Sequence, residues 1–140
     1  MNSFIICIFT KKTIHLLRQN KDYTLNNTYV DYQTILKDKD ILLIKAYETG
    51  RDFIEEESSL EIIYEDDLLC VVNKPSNLII HPDDKSKKNT LCNYVSYYYQ
   101  QSYQDLPIRY LHRLDRDTTG LVMFCKCALL QPYFDYMIAY

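Results

Sequence analysis

The chain has 140 residues, 47% of them hydrophobic, and a formal net charge of −3. Enough apolar side chain is present to bury a core, which excludes a disordered segment, and the length fits one domain or one small module plus part of another. Five cysteines, an odd count with Cys125-x-Cys127 as the close pair, exclude a disulfide framework and the ligand spacing of a zinc site, and they fit a reducing cytoplasm.

The N-terminal run Phe4-Ile5-Ile6-Cys7-Ile8-Phe9 is too short for a membrane span and lacks the flanks of a secretory signal, so it predicts a buried strand. Thr13 to Arg18 predicts a short helix begun by the threonine, with His15 exposed. Leu25 to Tyr32 has apolar ends around Asn26-Asn27 and predicts a hairpin, and Ile41-Leu42-Leu43-Ile44 predicts a further strand. Residues 1–45 therefore read as a small module. Residues 46–59, with Arg51, Asp52 and the Glu55-Glu56-Glu57 run, predict an acidic, solvated linker. Charge follows this division: residues 1–45 carry +3, residues 46–70 carry −8 and residues 71–140 carry +2. Because phosphate binding depends on local patches, the two mildly basic ends are compatible with RNA although the total is acidic.

The third segment, 60–140, predicts strands at Glu61–Tyr64, Leu68–Val72 and Leu78–Ile80, paired antiparallel because their connections are very short. Lys74-Pro75 interrupts the second and third, which leaves Lys74 either as a surface charge at a strand end or as a contact to phosphate. Lys85, Lys87 and Lys88 lie in a charged loop that is either simply solvated or touches phosphate. Asn89 or Thr90 caps a helix reaching about Gln101, whose apolar face holds Leu91, Tyr94, Val95 and Tyr98. Tyrosines at that spacing belong to core and rim more readily than to base stacking.

Next comes a run of nine residues with five ionisable side chains, His112-Arg113-Leu114-Asp115-Arg116-Asp117-Thr118-Thr119-Gly120, between apolar segments at 108–111 and 121–125. Flanking residues of strand type make it a loop at strand ends, where catalytic groups commonly sit, and the two threonines and Gly120 supply turn chemistry. Asp115 stands between Arg113 and Arg116, which can hold a carboxylate ionised against desolvation. The residues alone allow a structural salt-bridge loop as well as a site. A kinase catalytic loop is excluded, since Leu114 interrupts His-Arg-Asp and two glycines cannot build a nucleotide loop. A hydrolase with Asp115 and Asp117 as a carboxylate pair lacks further pocket residues. Pro132 then opens a last helix, with Tyr133, Tyr136, Met137 and Tyr140 on one face.

The string HRLDRDTTG resembles the signature of the RluA-type pseudouridine synthases, with Asp115 at the catalytic aspartate. A second segment, Asn73-Lys74-Pro75-Ser76-Asn77-Leu78-Ile79-Ile80-His81-Pro82, is similar to another stretch of that family, with Asn77 where glycine is usual. The resemblance runs from about Leu60 to the last residue. More weakly, residues 1–45 resemble the RNA-binding module common in the family, with Asn27 and Lys39 in place of turn glycines, and a purely structural extension reads equally well.

The resemblance implies an α+β fold: a small N-terminal module, the acidic linker, and the first part of a mixed, mainly antiparallel sheet with flanking helices. It implies isomerisation of uridine to pseudouridine in structured RNA, ribosomal or transfer, with no metal, no organic cofactor and no membrane partner, in the cytoplasm. Asp115 would be catalytic. Arg113 would fill the gap left by the flipped uridine, and His112, Arg116 and Lys74 would contact phosphate or backbone. A further Lys/Arg-x-Tyr motif and a later basic partner of the aspartate are absent from the 140 residues. This chain alone is therefore expected to be inactive. The alternative is a catalytically silent fragment that only binds RNA or folds poorly.

Overall fold

A computed structural model describes residues 11–45, 49–82 and 87–139. The apolar run 4–9 and Lys85 lie outside them. The chain divides into two compact units, Met1–Tyr47 and Glu48–Tyr140.

In the first unit, helix α1 spans Lys11–Asn20, and strands β1 (Tyr23–Leu25) and β2 (Leu42–Ile44) pair antiparallel. The helix is present two residues before the threonine expected to begin it. It ends where Lys21 turns to φ 55° and the Asp22 N–H donates to the Leu17 carbonyl. The expected hairpin is only half present. Asn26 and Asn27 take φ 50° and 66°, and Leu25 and Thr28 exchange backbone hydrogen bonds across that tight turn. Beyond it the chain leaves, and β1 pairs instead with β2. Asn26 draws that partner in: its Oδ1 accepts from the Ile41 N–H (3.0 Å) and its Nδ2 donates to Asp40 (2.8 Å). Lys39 adopts φ 69°, so both positions that lack glycine still make left-handed turns. Tyr29 and Tyr32 sit beneath cations, Lys21 and Arg18 respectively.

The second unit is built on three strands, β3 (Glu61–Glu65), β4 (Leu69–Lys74) and β5 (Gly120–Cys125), in the order β3-β4-β5 and antiparallel throughout. Strand alternation puts Cys70, Val72 and Lys74 of β4 on the buried face, with Val122 and Phe124 of β5 beside them. Helix α2 (Leu91–Gln101) covers that face with Leu91, Cys92, Val95 and Tyr99, and Tyr94 and Tyr98 pack at its margin. Thr90 is its N-cap in a capping box with Asn93. The tyrosines expected in core and rim are there, except Tyr103, which is exposed just past the helix.

Two expectations fail here. Leu78–Ile80 is not a strand of the sheet; a single parallel bridge joins Ile79 to Thr90, because Pro75 and the turn at Asn77 redirect the chain toward the start of α2. Nor is the described part of the expected linker 46–59, residues 49–59, simply solvated. The Ile54 carbonyl accepts from Asn93 Nδ2 (2.8 Å), Asp52 accepts from the Ile108 N–H (3.1 Å), and Phe53 and Leu60 pack on the core. Acidic composition suggested solvation, but two of the acids themselves, Asp52 and Glu56, accept the Ile108 and Asn89 N–H groups and help fasten the segment. Helix α3 (Gln131–Ala139) closes the described chain without a buried residue. No helix among the described residues is long and apolar enough to cross a membrane.

At the end of the sheet remote from Gly120, Glu65 accepts hydrogen bonds from Lys126, Tyr98 and Gln104. Burial alone raises a carboxyl pKa, but these three donors outweigh it and hold Glu65 below its ordinary 4.5. The unfolded chain then binds the proton more readily than the folded one. This contribution is present above the ordinary carboxylate value and is lost as pH falls through the lowered folded value. Glu65→Gln should cost about 1–2 kcal/mol at neutral pH and reduce the loss of stability with acid, as measured by denaturant unfolding across pH. An unchanged acid limb would remove Glu65 from the account.

Candidate active site

The charged loop enters β5 from a segment that is itself tied to that strand. Leu111 donates to the Met123 carbonyl, Cys125 donates to the Arg109 carbonyl, and Tyr110 bridges Phe124. His112 continues this attachment. The Met123 N–H donates to His112 Nε2 (3.3 Å), so a neutral ring carries its proton on Nδ1. The ring is half-buried against β5, and this hydrogen bond ties the loop to that strand. Leu114 then packs on the core, with its Cδ1 3.4 Å from where a side chain on Gly120 would begin. Gly120 has φ 144°, a backbone conformation that calls for glycine, whereas the approach of Leu114 is an ordinary van der Waals contact. With Leu114 anchored inward, Arg113 and Asp115 on either side of it are exposed.

Asp115 begins a tight turn, with the Thr118 N–H donating to its carbonyl (3.1 Å). The turn is fastened to residues 74–78 at four points. The Lys74 ammonium and the Leu78 N–H both donate to the Arg116 carbonyl (2.9 and 3.1 Å). Ser76 Oγ donates to the Asp117 carbonyl (2.9 Å), and Arg116 Nε donates to Asn77 Oδ1 (2.8 Å). Asn77 takes φ 62°, the left-handed conformation asparagine tolerates, so the turn forms without glycine.

Lys74 corrects the sequence reading. It is neither a surface charge nor a phosphate contact: its exposure is 0%, and its three N–H bonds go to the carbonyls of Pro75, Leu78 and Arg116. Burial lowers its pKa, and the nearby charges of Asp117 and Asp115 oppose that shift. Conversely, among the described residues no ion pair joins Asp115 to Arg113 or Arg116. Arg116 tethers the turn through Asn77 and does not pair with Asp115, while the buried cation under the turn comes from β4. Period-two alternation from Cys70 and Val72 was the signal that could have found it. Ser76 and Asn77 also went unassigned, since their partners lie 41 and 39 residues away.

The arrangement presents one exposed carboxylate on a turn whose backbone is locked from beneath, with Arg113 and Arg116 exposed beside it. Preorganisation of this kind suits a reacting group. Among the described residues no group of three or more His, Cys, Asp or Glu could hold a metal.

Known protein families match parts of both units of the chain. The family described as RNA pseudouridylate synthase matches residues 68–139, which include β4, Lys74 and the whole Asp115 loop. The RluD ribosomal pseudouridine synthase N-terminal domain matches residues 8–42. An uncharacterized RNA pseudouridine synthase, YhcT of Bacillus subtilis, is 32% identical over 120 residues, covering 85% of this chain and 38% of the relative. Ribosomal large subunit pseudouridine synthase D of Buchnera aphidicola is 42% identical over 74 residues, covering 52% of this chain and 23% of its own length. The Haemophilus influenzae protein of the same name is 34% identical over 99 residues, covering 71% and 31%. The chain thus spans well under half the length of these relatives. By the match across the sheet and the charged loop, it belongs to the RNA pseudouridylate synthase family.

Proposed function

We propose that this chain carries the reacting carboxylate of an enzyme that isomerises uridine to pseudouridine in large-subunit ribosomal RNA, in the cytoplasm and without metal or organic cofactor. The reaction moves the ribose bond from N1 of the base to C5, so C5 gives up its hydrogen. Asp115 either attacks the ribose or removes a proton from it as the base detaches. Supporting this reading is the exposed Asp115 on a turn whose Arg116 carbonyl is held by the fully buried Lys74, inside the stretch the family match covers. Choice of ribosomal RNA follows the names of relatives that share this stretch. Arg113, exposed beside Asp115, takes the space of the extruded base, since an inserted side chain recovers part of the lost stacking. Residues 1–45 act mainly as a structural extension, with a charge of only +3.

The 140 residues hold Asp115 but not the tyrosine wall and basic partner that the sequence resemblance implies, and a carboxylate without a closed pocket does not orient a base. The chain alone should therefore form no pseudouridine, whereas the chain joined to the C-terminal part of the Bacillus subtilis relative should convert a defined uridine. Pseudouridine-specific mass tagging of transcribed large-subunit RNA reads both arms. Turnover by residues 1–140 that Asp115→Ala removes would contradict the need for the wall, and an inactive joined protein would contradict the isomerase reading.

A further inference from the structure

Arg116 and Asn77 stand out because their contact is a side-chain tether next to the turn that presents Asp115, over and above the backbone contacts that already hold that turn. The Arg116 carbonyl is secured by Lys74 and Leu78, and the Asp117 carbonyl by Ser76. The Asn77 side chain bonds neither of those carbonyls. What it holds is the Arg116 guanidinium, through Nε–H to Oδ1 at 2.8 Å.

A guanidinium is a planar fork, and fixing Nε fixes the plane of the whole group. Among the described residues the Nη groups have no partner, and the side chain is exposed. Their outer edge carries two parallel N–H bonds, which match two oxygens of one phosphate. An untethered arginine loses rotamer freedom when it binds; one whose plane is already set loses less. Asn77 is suited to this duty because it reaches the left-handed φ of 62° and still presents an amide oxygen.

We propose that Asn77 is a positioning residue, which holds the Arg116 guanidinium so that its free Nη edge grips an RNA phosphodiester next to the nucleotide facing Asp115. This rests on the reading of RNA as the partner, and it is tested by binding rather than turnover, so it can fail while the isomerase reading stands, or the reverse.

The experiment uses the 140-residue chain and a transcript of large-subunit ribosomal RNA. Asn77→Gly keeps the backbone conformation and removes the tether. Asn77→Asp keeps an acceptor but adds a negative charge beside the guanidinium. In the free protein, nuclear magnetic resonance should show the Arg116 Nε–H exchanging with water several-fold faster in Asn77→Gly, with the far-ultraviolet spectrum unchanged. RNA affinity should fall by roughly threefold to tenfold in Asn77→Gly and by at least as much in Asn77→Asp, and Asn77→Gly added to Arg116→Ala should cost nothing further. Additive losses from Asn77→Gly and Arg116→Ala, unchanged affinity in Asn77→Gly, or no RNA binding by the unsubstituted chain would each overturn the proposal.

Discussion

Lys74→Met should destabilise the second unit by about 3 kcal/mol, a large effect for a change that leaves a chain of similar length and apolarity in place. Removing the ammonium, which itself has no exposure, leaves the buried Leu78 carbonyl and the Pro75 carbonyl without their side-chain donor, and leaves the Arg116 carbonyl with the Leu78 N–H alone. Relief of the buried charge offsets part of this, since burial already disfavours the charged form of Lys74. Pinning is lost as well, because Lys74 joins β4 to the turn that carries Asp115, across 42 residues of sequence. In the protein completed with the relative's C-terminal part, kcat should therefore fall by more than stability alone explains, at a temperature where the variant is fully folded. Lys74→Arg should not rescue it, because a larger planar group does not fit three convergent carbonyls. Denaturant unfolding and kcat measured side by side check the prediction. A Met variant as stable and active as the parent would mean that Lys74 is a bystander.

Periodicity made much of this architecture readable. The α2 face, its Thr90 cap and the pairing of β3 with β4 all follow from local pattern, because they depend on side-chain alternation and one capping hydroxyl. The site was legible as a string and misread as electrostatics. Arg113 and Arg116 flank Asp115 in sequence, yet among the described residues neither forms an ion pair with it: Arg116 turns to Asn77, and the buried cation beneath the turn is Lys74. Leu78–Ile80 looked like a strand because three apolar residues in a row favour one; the backbone donors and acceptors there are taken by α2, Arg116 and Lys74 instead. Residues 46–59 looked solvated because acids dominate the count, while Phe53 and the contacts of Asp52 and Ile54 fasten the described part to the core. In each of these failures at least one contact comes from a residue distant in sequence, although Pro75 and Asn77 also act locally on Leu78–Ile80.

Asp115→Asn should abolish pseudouridine formation in the completed protein, by a factor of about 10³ or more, and change its unfolding midpoint little. Asparagine is nearly the same shape, and the exposed Asp115 side chain forms no ion pair among the described residues, so the fold loses little. Asp117→Asn should retain substantial activity, because it is the Asp117 carbonyl, not its carboxylate, that Ser76 secures. That asymmetry separates a single reacting carboxylate from a carboxylate pair, in which both substitutions would cost alike. The most direct measurement is release of tritium from ribosomal RNA labelled at C5 of uridine, since the isomerisation cannot finish without losing that hydrogen. The completed protein and its Asp117→Asn variant should release it in step with pseudouridine formed, and Asp115→Asn should release none; undiminished release from Asp115→Asn would contradict the assignment of Asp115 as the reacting group.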